Sequence, residues 1–262
     1  VVLPNVLNVC ILFILFFMPD LQALIFDMDG VIVDNTPIQA RAFQLLFRDL
    51  DLKADANDLL RRFNGMPATE ILEQLFDEPK PTEELQKYAD QREFLYRTLY
   101  WEERQPLAGL VGFLEAARAT GLKIGLGSGS ANDTLSYILD HLDLRRFFDV
   151  VVGADDVDAG KPHPETYATV AEKLGVASAN CLVFEDAVLG EHAAYKAGMH
   201  CVAVLTNLVA NDFQAPLLAI KNFAEVTPER LRGLFRQVGD APKADDTVAK
   251  NQDLPPVAED KR

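Results

Sequence analysis

The sequence predicts an α/β fold: a parallel sheet with helices on both faces and an all-helical insert after the first strand. Three observations predict it. From Pro106 onward short apolar runs alternate with amphipathic stretches, the pattern of βαβ units. Residues 35–104 repeat apolar side chains at helical spacing and hold no convincing strand. Four segments bearing acids, a serine or a lysine follow apolar runs, and in a parallel sheet such segments converge on the carboxyl edge, where ligands sit.

Residues 21–33 read as the first strand and its turn, with Gly30 permitting a sharp reversal. Helical spacing follows through Ala42, Leu45 and Leu46, then Leu59, Leu60 and Phe63, then Ile71, Leu72, Leu75 and Phe76, then Leu85, Tyr88, Phe94, Leu95 and Leu99. Breaks fall at 64–67 and 78–81, where Gly and Pro cluster. Beyond them the expected elements are a helix at 110–119 ended near Gly121, a strand at 122–126 and a helix at 132–142. A strand at 150–152, a helix at 164–174, a strand at 181–184, a helix at 189–197 and a last strand at 200–205 follow. The expected organisation is an apolar extension at 1–19, a core of 20–34 with 105–235, a helical cap at 35–104, and a disordered tail at 240–262 that lacks an apolar face.

Residues 1–17 are strongly apolar yet short for a spanning helix, and lack the basic start and small-residue cleavage site of a secretory signal. The expectation is an over-extended start, with Met18 beginning the natural protein. A membrane anchor or uncleaved signal is the competing reading. A formal charge of −15 argues against nucleic acid or an anionic membrane surface as partner. It also requires that any anionic substrate be neutralised locally, by a metal ion and a few placed cations. Cys10, Cys181 and Cys201 have no metal-ligand spacing, which suits a reduced, cytoplasmic chain. The four histidines are scattered and receive no role.

The chemistry lies in Asp27-Met28-Asp29-Gly30, Gly127-Ser128-Gly129-Ser130-Ala131-Asn132, Gly160-Lys161-Pro162 and Phe184-Glu185-Asp186. These residue types fit phosphoryl transfer at a divalent cation. Asp27 is placed to attack phosphorus. Asp29, two residues on, faces the same side and suits proton transfer. Asp27, Asp29, Glu185 and Asp186 form an oxygen-ligand set suited to Mg²⁺. Ser128 and the N–H groups near Gly129 can hold phosphoryl oxygens at a helix start, and Lys161 adds a full positive charge. An EF-hand is excluded, because the twelfth position from Asp27 is Ile38 rather than Glu. A dinucleotide loop at 125–129 is disfavoured, because the third glycine would fall on Ser130 or Asn132.

Together these segments resemble the haloacid dehalogenase superfamily of phosphohydrolases, over residues 20–225. Asp27 and Asp29 match its first motif, Ser128 its second, Lys161 its third and Glu185-Asp186 its fourth. The resemblance implies a Rossmann-like core with an inserted α-helical cap, and Asp at 29 favours phosphate chemistry over dehalogenation. The stretches 161–165 and 184–190 look most like the β-phosphoglucomutase and sugar-phosphate phosphatase branch, which implies that Asn132 and Glu165 also touch substrate. Two departures concern the cap. Ala68 stands where the mutases carry an arginine that grips a second phosphate, and Gln39 lies where they carry a histidine; Arg61 and Arg62 are nearby. The expectation is therefore a Mg²⁺-dependent phosphatase of small phosphorylated metabolites, sugar phosphates foremost, acting through an aspartyl-phosphate. β-Phosphoglucomutase is the alternative, and an idle scaffold the third. A monomer is expected.

Overall fold

The computed structural model describes residues 20–63, 66–76, 78–101 and 105–245. The expectation for the apolar N-terminus concerns residues outside these, as does most of the expected tail. Among the described residues no helix is long and apolar enough to cross a membrane.

Six strands form one parallel sheet: β1 (Ala23–Phe26), β2 (Lys123–Gly127), β3 (Val150–Val152), β4 (Cys181–Glu185), β5 (His200–Val204) and β6 (Leu218–Ile220), in the order β3-β2-β1-β4-β5-β6. β1 lies centrally, where the strand order reverses, and the crevice beyond its carboxyl end is where such sheets bind ligands. Register aligns Phe26 with Leu126 on one side and Phe184 on the other. Asp27 is thereby level with Gly127 and Glu185.

Alternation along each strand sorts side chains to two faces. Leu24, Phe26, Leu126, Phe184 and Val202 pack with α5 (Leu110–Ala119), α6 (Asn132–His141) and α9 (Pro228–Phe235). Phe26 and Phe184 stack at 4.7 Å between centroids, with Phe113 edge-on to both. Ile25, Val183 and Cys201 pack on the other face with α7 (Glu165–Leu174) and α8 (Val188–Lys196). Gly125 is explained by this layer. A Cβ there would lie 2.3 Å from Val170 of α7, so the glycine admits a helix rather than a nucleotide.

Between β1 and β2 the chain builds α1 (Thr36–Asp49), α2 (Ala56–Phe63), α3 (Ala68–Glu73) and α4 (Thr82–Tyr100). They bury their own apolar cluster, including Phe43, Leu46, Leu59, Leu60, Ile71 and Leu85. The two connections to the core are tied together where Leu107 N–H donates to Ile32 O at 2.8 Å. Ile38, Ala42, Tyr96 and Tyr100 join the core cluster and root the insert.

Two elements exceed the sequence expectation. β6 is only three residues long. α9 carries a readable start, because Thr227 accepts from Arg230 N–H and Pro228 occupies the first turn. Of the stretch expected to be disordered, residues 240–245 are described. Gln214 donates to Lys243 O and accepts from Asp245 N–H, both at 2.8 Å.

Candidate active site

Three segments at the carboxyl edge bring Asp27, Lys161, Glu185 and Asp186 together, all essentially inaccessible to solvent. Lys161 Nζ lies 2.6 Å from Asp27 Oδ1, 2.7 Å from Glu185 Oε1 and 3.3 Å from Gly127 O. All three of its protons are thus directed at protein acceptors. Glu185 is equally occupied. Its Oε1 also accepts from the Tyr167 hydroxyl, and its Oε2 accepts from the N–H groups of Asp186 and Ala187 at 3.0 and 3.2 Å. Gly190 leaves room for this carboxylate, since a Cβ there would fall 1.8 Å from Glu185 Oε1.

Three carboxylates, Asp27, Glu185 and Asp186, have oxygens within 4.8 Å of one another. One ammonium opposes them, and burial weakens solvent screening. Burial pushes Asp27 up to about 7 despite Lys161, with Glu185 and Asp29 adding to the rise. Burial, then Glu185 and Asp27, hold Asp186 well above the usual carboxylate range. Lys161 is desolvated too, yet the charges of Asp27 and Glu185 raise it above an ordinary lysine. An all-oxygen, electron-rich cluster short of positive charge fits a hard divalent cation.

Asp29 stands apart from that cluster. Its Oδ1 accepts from the side-chain amides of Asn35 and Gln39, and its Oδ2 accepts from Ser130 Oγ at 2.8 Å. These donors draw the Asp29 side chain toward α1 and the loop after β2, so the carboxylates that cluster within 4.8 Å are Asp27, Glu185 and Asp186. Ser128 Oγ accepts from Ser130 N–H at 3.1 Å, and Ser128 and Gly129 line a cavity with Asp27 and Asp29.

The remaining two sequence candidates face elsewhere. Glu165 accepts from Asp158 N–H and Ala159 N–H at 2.9 and 3.0 Å, shaping the turn before Lys161. Asn132 packs against residues 153–156, where its N–H donates to Asp155 Oδ2 at 2.8 Å. In this structure the Glu165 carboxylate and the Asn132 backbone N–H both bond the loop between β3 and α7. Arg61 and Arg62 both pair with Asp58 of their own helix, at 3.2 and 3.0 Å.

Sequence reasoning missed Ser130, Asn35, Tyr167 and Asn207. Asn207, whose side chain bonds Asp186 Oδ2, follows β5 just as the other site segments follow their strands, so the same rule would have found it. Asn35 donates to both Asp29 and the Tyr96 hydroxyl, a long-range pairing with no local signal.

Residues 24–204 match the family model described as haloacid dehalogenase-like hydrolase. The chain is 31% identical over 218 residues to a phosphorylated carbohydrates phosphatase of Thermotoga maritima, covering 83% of this chain and all of that one. It is 33% identical over 181 residues to the fructose-1-phosphate phosphatase YqaB of Escherichia coli, covering 69% and 95%. The crystal structure of a β-phosphoglucomutase from Clostridium difficile superposes with a TM-score of 0.73 at 25% identity, covering 83% of this chain and 98% of that one. By its motifs, its sheet and these relatives, the chain belongs to the haloacid dehalogenase-like hydrolases, among relatives that are phosphatases.

Proposed function

We propose that this chain is a Mg²⁺-dependent phosphatase of small phosphorylated metabolites, chiefly sugar phosphates, that works through an aspartyl-phosphate on Asp27. One observation carries the reading: Asp27, Lys161, Glu185 and Asp186 come from remote segments to one buried point at the sheet edge.

Asp27 attacks phosphorus, the P–O bond to the leaving group breaks, and Asp29 gives its proton to the departing alcohol oxygen. Water then attacks the same phosphorus, its proton passes to Asp29, and the bond to Asp27 breaks to free phosphate. Ser128, the N–H of Gly129 and Lys161 offset charge on the phosphoryl oxygens. Asp27 and Asp186 would hold the cation, Glu185 being committed to Lys161 and Tyr167; when bound, Mg²⁺ neutralises the crowded carboxylates and the phosphoryl group.

The cavity over Asp27 and Asp29 is only about 30 Å³. That is about the space of one water molecule. A larger cavity of about 430 Å³, sharing Leu60 and lined by Asp186, Arg62 and Asn207, lies next to it, and closure of the helical insert over a substrate excludes bulk water.

The test is release of phosphate from p-nitrophenyl phosphate and a panel of sugar phosphates, with loss in Asp27→Asn. Isomerised product with little free phosphate would instead establish the mutase.

A further inference from the structure

The wall of the cavity that faces Asp29 is divided. Phe43, Leu60, Met66 and Ile71 make one side apolar, while Gln39 and Arg92 make the other polar. Arg92 is the one cationic residue lining it among the described residues. Its guanidinium is buried over the Phe43 ring at 5.1 Å, with Nη1 donating to Gln39 Oε1 and Nη2 to Glu93 Oε1. Arg92 Nε is buried and has no hydrogen-bond partner among the described residues. Glu93 is itself buried, and its second oxygen accepts from Thr134 Oγ1 of α6.

We infer that the Arg92–Glu93 pair makes the leaving-group side of this site charge-neutral, and so selects monophosphates of neutral polyols against substrates that carry a second anion. The inference rests on the phosphatase reading and adds the residues that set specificity. An uncharged hydroxyl needs no counter-charge at this wall, and the carbon face of a polyol suits its apolar side, Phe43 and Ile71. A carboxylate or second phosphate placed there must also shed its water. The charge that would repay it is already offset by Glu93, one residue along the same helix. Arg61 and Arg62 give no substitute, since both are held by Asp58 and line a different cavity beside Asp186.

Sorbitol 6-phosphate and 6-phosphogluconate are a matched pair, alike in length and differing at the far end by a hydroxymethyl against a carboxylate. The wild type is expected to favour sorbitol 6-phosphate in kcat/KM by at least about tenfold, mainly through KM. Glu93→Gln uncovers the Arg92 charge, and the ratio falls at least about fivefold. Thr134→Val removes the hydrogen bond but keeps the Glu93 charge, and the ratio stays within about twofold of wild type. If Glu93→Gln does not fold, Met66→Lys adds an uncompensated cation to the same wall and moves the ratio the same way. A wild type without preference overturns the inference. So does a folded Glu93→Gln, or failing that a folded Met66→Lys, that turns over sorbitol 6-phosphate with the wild-type ratio. Phosphate release with an unmoved ratio overturns this inference alone; no release from either compound or from p-nitrophenyl phosphate overturns the phosphatase reading and this with it.

Discussion

Lys161 and Asp27 form an ion pair of 2.6 Å, with side chains 0% and 3% exposed. Removing one partner of a buried pair leaves a charge uncompensated, at a cost of about 3–5 kcal/mol. Lys161→Met leaves Asp27, Glu185 and Asp186 without a protein cation. It is expected to lower stability by about 3 kcal/mol at pH 8 in EDTA. Phosphatase activity falls at least about 100-fold even where the variant remains folded. Urea unfolding and steady-state turnover measure the two effects separately.

Asp27 ties stability to pH and to metal. Burial raises it from 3.8 to about 7 in the metal-free fold. Between those values the folded chain keeps a proton that the unfolded chain has released. Stability in EDTA therefore falls as pH rises through that window, and Asp186, raised chiefly by the same burial, adds to the fall. Saturating Mg²⁺ takes the proton's place and flattens the slope. Thermal unfolding at steps from pH 5 to pH 8, with and without Mg²⁺, reads this directly. The slope in EDTA is smaller in Asp27→Asn.

Gly30 is fixed by Asp186. Its φ of +76° and a Cβ position only 2.1 Å from Asp186 Oδ2 exclude any larger residue without movement. Gly30→Ala is expected to cost about 1–2 kcal/mol from the backbone alone. It also displaces Asp186, so the rise in Tm on adding Mg²⁺ shrinks. A variant with the wild-type rise in Tm would remove Asp186 from the proposed cation site.

Glu191 holds the far side of the sheet. It is fully buried and accepts from Gln214 N–H, Ala215 N–H and the Tyr195 hydroxyl at 2.7, 3.1 and 2.7 Å. Glu191→Ala strands these donors, each worth about 1–3 kcal/mol when left unsatisfied. The expected outcome is a loss of at least about 3 kcal/mol by urea unfolding.

Most of the site was legible because Asp27, Ser128 and Glu185-Asp186 each end an apolar run. In a parallel sheet, position after a strand is position at the site. Lys161 was legible from its residue type between a strand and a helix. The loop bonds of Glu165 and Asn132 were not legible, because a loop turn and a substrate draw on the same polar side chains and spacing does not tell them apart. Asn35 and Gln39 meet Asp29, and Arg92 meets Gln39, only after the helices of the insert fold back over the core, so no local pattern announces them. β6 escaped because three residues carry too little alternation. The start of α9 is legible in Thr227-Pro228, a capping hydroxyl followed by a first-turn proline.

The most direct measurement follows the phosphoryl group. Asp29→Asn incubated with p-nitrophenyl phosphate and Mg²⁺ keeps the nucleophile and a leaving group that needs no proton, while losing the base that activates water. Mass spectrometry of the acid-quenched, digested protein is predicted to find a phosphoryl adduct on the peptide carrying Asp27, absent from the double variant Asp27→Asn, Asp29→Asn. Wild-type rates of phosphate release from Asp27→Asn, with no adduct on that peptide in Asp29→Asn, would contradict the account.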